Sequence, residues 1–198
     1  MQKDQALQDY SKEVLDQLAI TDEQIQNVEM LTWKQSESPV WFSHRAGRIT
    51  ASILKFVTRT SIDKPSRLSL IKRICYPKAY SFSTKATRWG CKHEETARSN
   101  YEQLMNQTHI NCKVKESGFY IDKCYPFLGA SPVGVVPCDC CGIQLIEIKC
   151  PFCLRDKTAE EAASNDHNFC MEIDSNGALT LKRDHAYYYQ IQTQLHAT

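Results

Sequence analysis

Residues 128–151 read LGASPVGVVPCDCCGIQLIEIKCP, and the run 143-IQLIEIKC-150 inside them decides the fold. It alternates and is rich in β-branched residues, so it reads as a strand. Glu147 and Lys149 then face one side, and Ile146 and Ile148 the other. An acid and a lysine on a central strand are costly to bury unless they pair or meet a metal. On these residues alone two readings stay open: a cross-strand ion pair on a partly exposed face, and a carboxylate metal site with a lysine beside it.

Working outward, 110-INCKVKESGFYI-121 and 126-PFLGASPVGVV-136 also alternate, which predicts three strands in all. Gly118, Gly134 and Cys141-Gly142 punctuate them. Helical periodicity covers residues 3–19, with Leu7, Tyr10, Val14, Leu15 and Leu18 on one stripe. Thr21 and Gln24 form a capping box for a second helix through Met30. The stretch 35-QSESPV-40 reads as a loop, and Thr50 or Ser52 as the cap of a short helix through Val57. Further helices are expected at 66–76, from about Thr84 through 105, at 156–164 and at 184–197. The polar stretch 165–183 carries Asn176-Gly177, a hairpin-turn signal. Helices, then a strand meander, then helices define an α/β (α+β) chain: a central mixed β-sheet flanked by helices. Residues 1–24 read as an N-terminal helical extension and 25–198 as the main domain.

The net charge of +1 hides a segregation. Residues 45–92 hold twelve Lys/Arg and a single acid, Asp63, whereas residues 1–44 hold three Lys/Arg and eight Asp/Glu. A polyanion partner and a solvated basic face both explain such a block. It includes Phe56, Tyr76, Tyr80, Phe82 and Trp89, so it reads as folded chain rather than a basic tail. No apolar run is long enough for a bilayer, and the start MQKDQALQDY lacks a signal-peptide pattern. The expectation is therefore an intracellular protein with no membrane partner, nuclear in a eukaryotic cell. Ten cysteines in a chain of 198 residues with that expected address favour free thiols or metal ligands over disulfides.

Five segments, 41-WFSHRAGRITAS-52, 89-WGCKHEETA-97, 129-GASPVG-134, 145-LIEIKCP-151 and 187-YYYQIQTQL-195, together resemble the YqaJ-type viral recombinase family. That family is related to phage lambda exonuclease and lies within the PD-(D/E)XK nucleases, with a restriction-endonuclease-like core. The resemblance implies magnesium- or manganese-dependent phosphodiester hydrolysis on DNA, at duplex ends and as an exonuclease of recombination or repair. It also implies a capacity for homo-oligomers. Glu147 resembles the metal-binding acid, Lys149 the catalytic lysine, Glu94 the helical acid and Gln190 the glutamine that orders the site. The resemblance also implies a metal-ligand place for the backbone carbonyl of Ile148. Arg45 and Ser52, with Arg48 as a weaker candidate, resemble residues that grip phosphate. The family continues beyond a helix like 184–197, so a piece of a longer protein is expected.

One position departs. The family pattern is Ser-Pro-Asp-Gly, whose aspartate ligates metal, but this chain has Ser131-Pro132-Val133-Gly134. Valine offers no side-chain oxygen, so metal affinity and water activation should fall, and an inactive DNA-binding module becomes the competing reading. Neither Asp122 nor Asp139 lies in the motif. Cys138-x-x-Cys141 and Cys150-x-x-Cys153 have zinc-ribbon spacing, but Cys150 directly follows the Glu-x-Lys strand. That strand is already committed, so zinc is disfavoured.

Overall fold

The structure, a computed structural model, describes residues 2–61, 63–81 and 83–198, with the side chains of residues 2–4 left aside. Phe82 lies outside the described residues. The helices are α1 (Gln2–Gln17), α2 (Asp22–Leu31), α3 (Pro39–Arg45), α4 (Leu54–Arg59), α5 (Ser66–Cys75), α6 (Lys85–Met105), α7 (Ala159–Asn165) and α8 (Ala186–Ala197). The strands are β1 (Ile49–Thr50), β2 (Lys115–Glu116), β3 (Tyr120–Ile121), β4 (Leu128–Ala130), β5 (Gly134–Cys138), β6 (Gly142–Ile146), β7 (Met171–Ile173) and β8 (Leu179–Leu181).

Local chemistry explains most boundaries. Thr21 and Gln24 cap each other's backbone at the start of α2, at 3.2 and 2.9 Å. Thr84 and Thr87 do the same for α6, and Thr158 and Glu161 for α7. The expected loop at 35–40 is instead a 3₁₀ turn, Gln35–Glu37, followed by α3. Pro39 opens that helix, because its fixed φ suits a first helical position where the missing N–H costs nothing. Asn176-Gly177 turns the β7–β8 hairpin, with Gly177 at φ +80°.

Two of the three expected strand runs, 110–121 and 126–136, are each cut in two, and the halves join different sheets. One sheet has the order β1-β4-β3, parallel between β1 and β4 and antiparallel between β4 and β3. The other is antiparallel, in the order β2-β5-β6. The chain crosses from the second sheet to the first at Ser117–Phe119 and back again at Ser131–Val133. At Gly118 a β-carbon would lie 1.9 Å from the Glu29 carbonyl oxygen, so only glycine lets α2 sit this close. The Gly118 and Phe119 amides donate to Glu29 Oε1 and Thr32 Oγ1 at 2.9 and 2.7 Å instead of to a ladder.

Two apolar clusters hold the halves. Val28, Trp41, Phe119 and Ile121 join α2 and α3 to the first sheet. Cys112, Val114, Val136 and Cys138, with Tyr101, Met105 and Ile146, join α6 to the second. Helix α8 packs on β4, on α4 and on the 3₁₀ turn Ala51–Ile53 before α4.

Candidate active site

Strand register brings the two motifs together. Gly134 pairs with Ile146 at the open end of the β5–β6 ladder. The next residues outward on each side are therefore Val133 and Glu147. β6 ends at Ile146, one residue short of the expected acid, so Glu147 and Lys149 follow the strand rather than lie in it. The reason is the crossover: beyond Gly134 the partner chain turns away at Ser131–Val133 and offers no further ladder.

That crossover is held from four sides. Gln35 donates its side-chain amide to the carbonyls of Ser117 and Pro132, both at 2.9 Å. Ser117 Oγ donates to the Pro132 carbonyl at 2.8 Å. Trp41 Nε1 donates to Ser131 Oγ at 2.9 Å, and Gln194 Nε2 reaches the Ser131 carbonyl at 3.5 Å. The frame that would aim a side chain at position 133 is complete, and it aims an isopropyl group.

Glu147 is 11% exposed and fully engaged. Its Oε1 accepts from Lys149 Nζ at 2.5 Å and from Gln190 Nε2 at 2.8 Å. Its Oε2 accepts from Gln194 Nε2 at 2.6 Å. Lys149 also lies over the Tyr187 ring, 4.8 Å from its centre. Glu94, on α6, pairs loosely with Arg98 at 3.8 Å. Its carboxyl is pushed above the usual carboxylate range by burial, against the pull of Arg98 and with a further push from Glu147.

Across the site, the Arg45 guanidinium stacks 3.8 Å over Trp41 and reaches Thr50 Oγ1 at 3.4 Å. Thr50 and Ser52 share a hydroxyl contact of 3.2 Å. Burial, helped by Arg73, lowers the Arg45 pKa to about 10, and its Nε has no hydrogen-bond partner. Arg45, Ser52, Glu94, Val133, Glu147, Ile148, Lys149 and Gln190 all line one cavity of about 270 Å³. Every sequence-named catalytic or phosphate residue is thus brought together except Arg48. Its guanidinium instead donates to the carbonyls of Pro126 and His44, at 2.9 and 2.8 Å.

Sequence reasoning gave no site role to Gln35, Trp41 or Thr50, and named Gln194 only with Gln190 and Gln192 in a glutamine-rich helix. Gln194 recurs one helical turn after Gln190, and that spacing was the available signal. Asp122 and Asp139 are employed elsewhere: Asp122 with His196 and the Tyr125 amide, Asp139 with Asn111. The cysteine pairs do not gather as their spacing suggested. Cys150 and Cys153 line a separate hollow beside α6, away from Cys138 and Cys141.

Magnesium and manganese ask for near-octahedral oxygen ligands. Here Glu94 and Glu147 offer carboxylates and Ile148 a carbonyl, but position 133 offers hydrocarbon and both Glu147 oxygens are already bonded. This donor set, as it stands, does not fit such an ion.

A helical acid, a Glu-x-Lys segment leaving a hairpin strand and a proline crossover beside it define the fold of a PD-(D/E)XK-type nuclease. The chain belongs to the family of the YqaJ-like viral recombinase domain, whose profile matches residues 40–198. It is similar to the alkaline exonuclease LHK-Exo from Laribacter hongkongensis, at 27% identity and a TM-score of 0.53, over 81% of this chain and 69% of that one. The same enzyme solved in complex with dAMP matches at the same identity and TM-score, over 68% of its length. No curated protein matches the chain in sequence.

Proposed function

We propose that this chain binds DNA ends through an exonuclease-like site whose hydrolytic step is impaired. The observation that carries this reading is Val133, held by a complete set of frame contacts beside Glu147 in the cavity that also contains Arg45 and Lys149.

The division of labour follows from the side chains. Arg45 carries a charge the fold leaves partly unsatisfied, and a phosphate oxygen would complete it. Ser52 and Thr50 present hydroxyls beside it. Lys149 neutralises Glu147 and lies within reach of charge building at a phosphorus centre. Gln190 and Gln194 fix the carboxylate. Nothing in this set reads bases, so recognition rests on phosphate and on the end of the duplex. Hydrolysis in this fold relies on a metal-bound water, and a site short of one ligand loses orders of magnitude in rate.

The test is Val133→Asp. The unmodified chain should retain a 5′-phosphorylated duplex in a salt-dependent way and degrade it slowly or not at all with magnesium. The variant should degrade the same duplex at least about a hundredfold faster, a change of about 2.7 kcal/mol in barrier. It should also gain a magnesium-dependent rise in Tm that the parent lacks, since only a bound ligand stabilises the native state. A folded Val133→Asp protein that binds DNA yet shows neither gain sinks the impaired-nuclease reading.

A further inference from the structure

At the opposite end of the β5–β6 ladder from Glu147, the hairpin tip gathers a second set of chemistry. Cys138 closes β5 opposite Gly142, and Asp139, Cys140 and Cys141 form the turn, with Gly142 at φ +79°. His109 comes from the loop just after α6. Its Nδ1 lies 3.3 Å from Cys140 Sγ, 3.2 Å from Cys141 Sγ and 3.8 Å from Cys138 Sγ. The sulfurs of Cys138 and Cys140 are 3.2 Å apart, and those of Cys140 and Cys141 are 3.7 Å apart. All four ligand atoms lie within 4.8 Å of one another.

We propose that His109, Cys138, Cys140 and Cys141 form a structural zinc site that clamps the β5–β6 hairpin to the end of α6. Three thiolates and one imidazole are a zinc ligand set, and zinc–sulfur bonds of about 2.3 Å in a tetrahedron put sulfurs about 3.8 Å apart. The observed separations need only small side-chain rotations to reach that value. Four protein ligands close the coordination shell, leaving no position for water or substrate, which makes the role structural rather than catalytic. One ring nitrogen of His109 faces all three sulfurs, so the other is left to carry the proton. The loops that present the ligands are already tied: the Asp139 amide donates to the Ile110 carbonyl at 3.1 Å, Asn111 Nδ2 donates to Asp139 Oδ2 at 2.6 Å, and the His109 amide donates to the Met105 carbonyl at 2.8 Å. The site differs from the Cys138–Cys141 plus Cys150–Cys153 ribbon that spacing alone suggests: Cys140 and His109 take the places of Cys150 and Cys153, so no conflict with the Glu147 segment arises.

The experiment measures zinc in the full chain, purified reduced and without a metal-affinity step. About one zinc per chain is expected. His109→Ala, Cys140→Ser and Cys141→Ser should each weaken zinc retention at least tenfold against a chelator, whereas Cys150→Ser and Cys153→Ser should leave it unchanged. For variants that do not fold, the unmodified chain loaded with cobalt decides. An intense thiolate-to-cobalt charge-transfer band, with X-ray absorption showing three sulfurs and one nitrogen, supports the site. A folded metal-free protein with every thiol reactive, a disulfide within residues 138–141, oxygen ligation of the cobalt, or zinc lost with Cys153 instead of Cys140 would each overturn it.

Discussion

Val133 and Glu147 are neighbours because the ladder pair Gly134–Ile146 leaves them nowhere else to go. The same closeness shapes Glu94. Burial and the Glu147 charge raise its pKa, so the folded protein holds that proton more tightly than the unfolded chain does. The stability linked to this proton is present below the ordinary carboxylate range and is lost as pH rises through the raised value. Glu94→Gln should therefore stabilise the chain at pH 7.5 in urea unfolding and lose that advantage when measured near pH 4.5. An advantage that grows on acidification would contradict the assignment. Arg45 makes the converse case. Its guanidinium is buried with Nε unpartnered and is offset mainly by stacking on Trp41. Arg45→Met keeps the apolar stem and removes the poorly solvated charge. Thermal unfolding should change by less than about 1 kcal/mol, in either direction. Binding to 5′-phosphorylated duplex should fall at least about tenfold, and the salt slope by about 1. A large loss of stability with unchanged DNA affinity would show Arg45 to be purely structural.

At the scale of elements, local signals and long-range contacts part company. The capping box at Thr21, the helix start near Thr84 and the Asn176-Gly177 turn were legible because each is settled by residues within one turn of chain. The splitting of 110–121 and 126–136 into strands of two sheets was not. It depends on α2, some ninety residues away in sequence, docking its Glu29 carbonyl against Gly118. The Glu-x-Lys segment was legible as chemistry but misread as strand, since its ladder ends where a distant crossover turns away. What sets Gln194 apart from Gln192 was hidden for a similar reason: a buried glutamine has a purpose only once Glu147 and Ser131 are seen beside it. Gln194→Leu leaves the Glu147 carboxylate short of one donor and should cost about 1–3 kcal/mol in urea unfolding. Gly118→Ala should cost at least as much, because the obstructing atom is backbone and α2 must shift. An unchanged Tm in Gly118→Ala would mean that α2 does not sit where the structure puts it.

Across the whole molecule, charge separation turns the site into one edge of a larger surface. The basic stretch 45–92 folds into α4, α5 and the start of α6, and Lys64, Lys72, Arg73, Lys78, Lys85, Arg88 and Lys92 are exposed along it. Arg73 and Tyr80 share a second hollow with Arg45, Arg48 and Ser52, so the basic elements border the site on the side of Arg45 and Ser52. The two apolar clusters join helices to the two small sheets and include no residue of the stretch 45–92. A solvated basic face and a DNA track differ in one measurable way. On a track, each lysine or arginine that meets a phosphate releases a counterion and adds about −0.9 to the slope of log affinity against log salt for duplex DNA. Lys72→Glu combined with Lys78→Glu touches only exposed side chains and should leave the Tm within about 2 °C. If the face is a track, the pair should flatten the slope by about 2 and weaken duplex binding at about 50 mM salt at least tenfold. The change should not depend on duplex sequence, because phosphates are what the surface meets. A slope and affinity left at the parent values would confine DNA contact to the cavity around Arg45 and leave the basic face as solvent-facing charge.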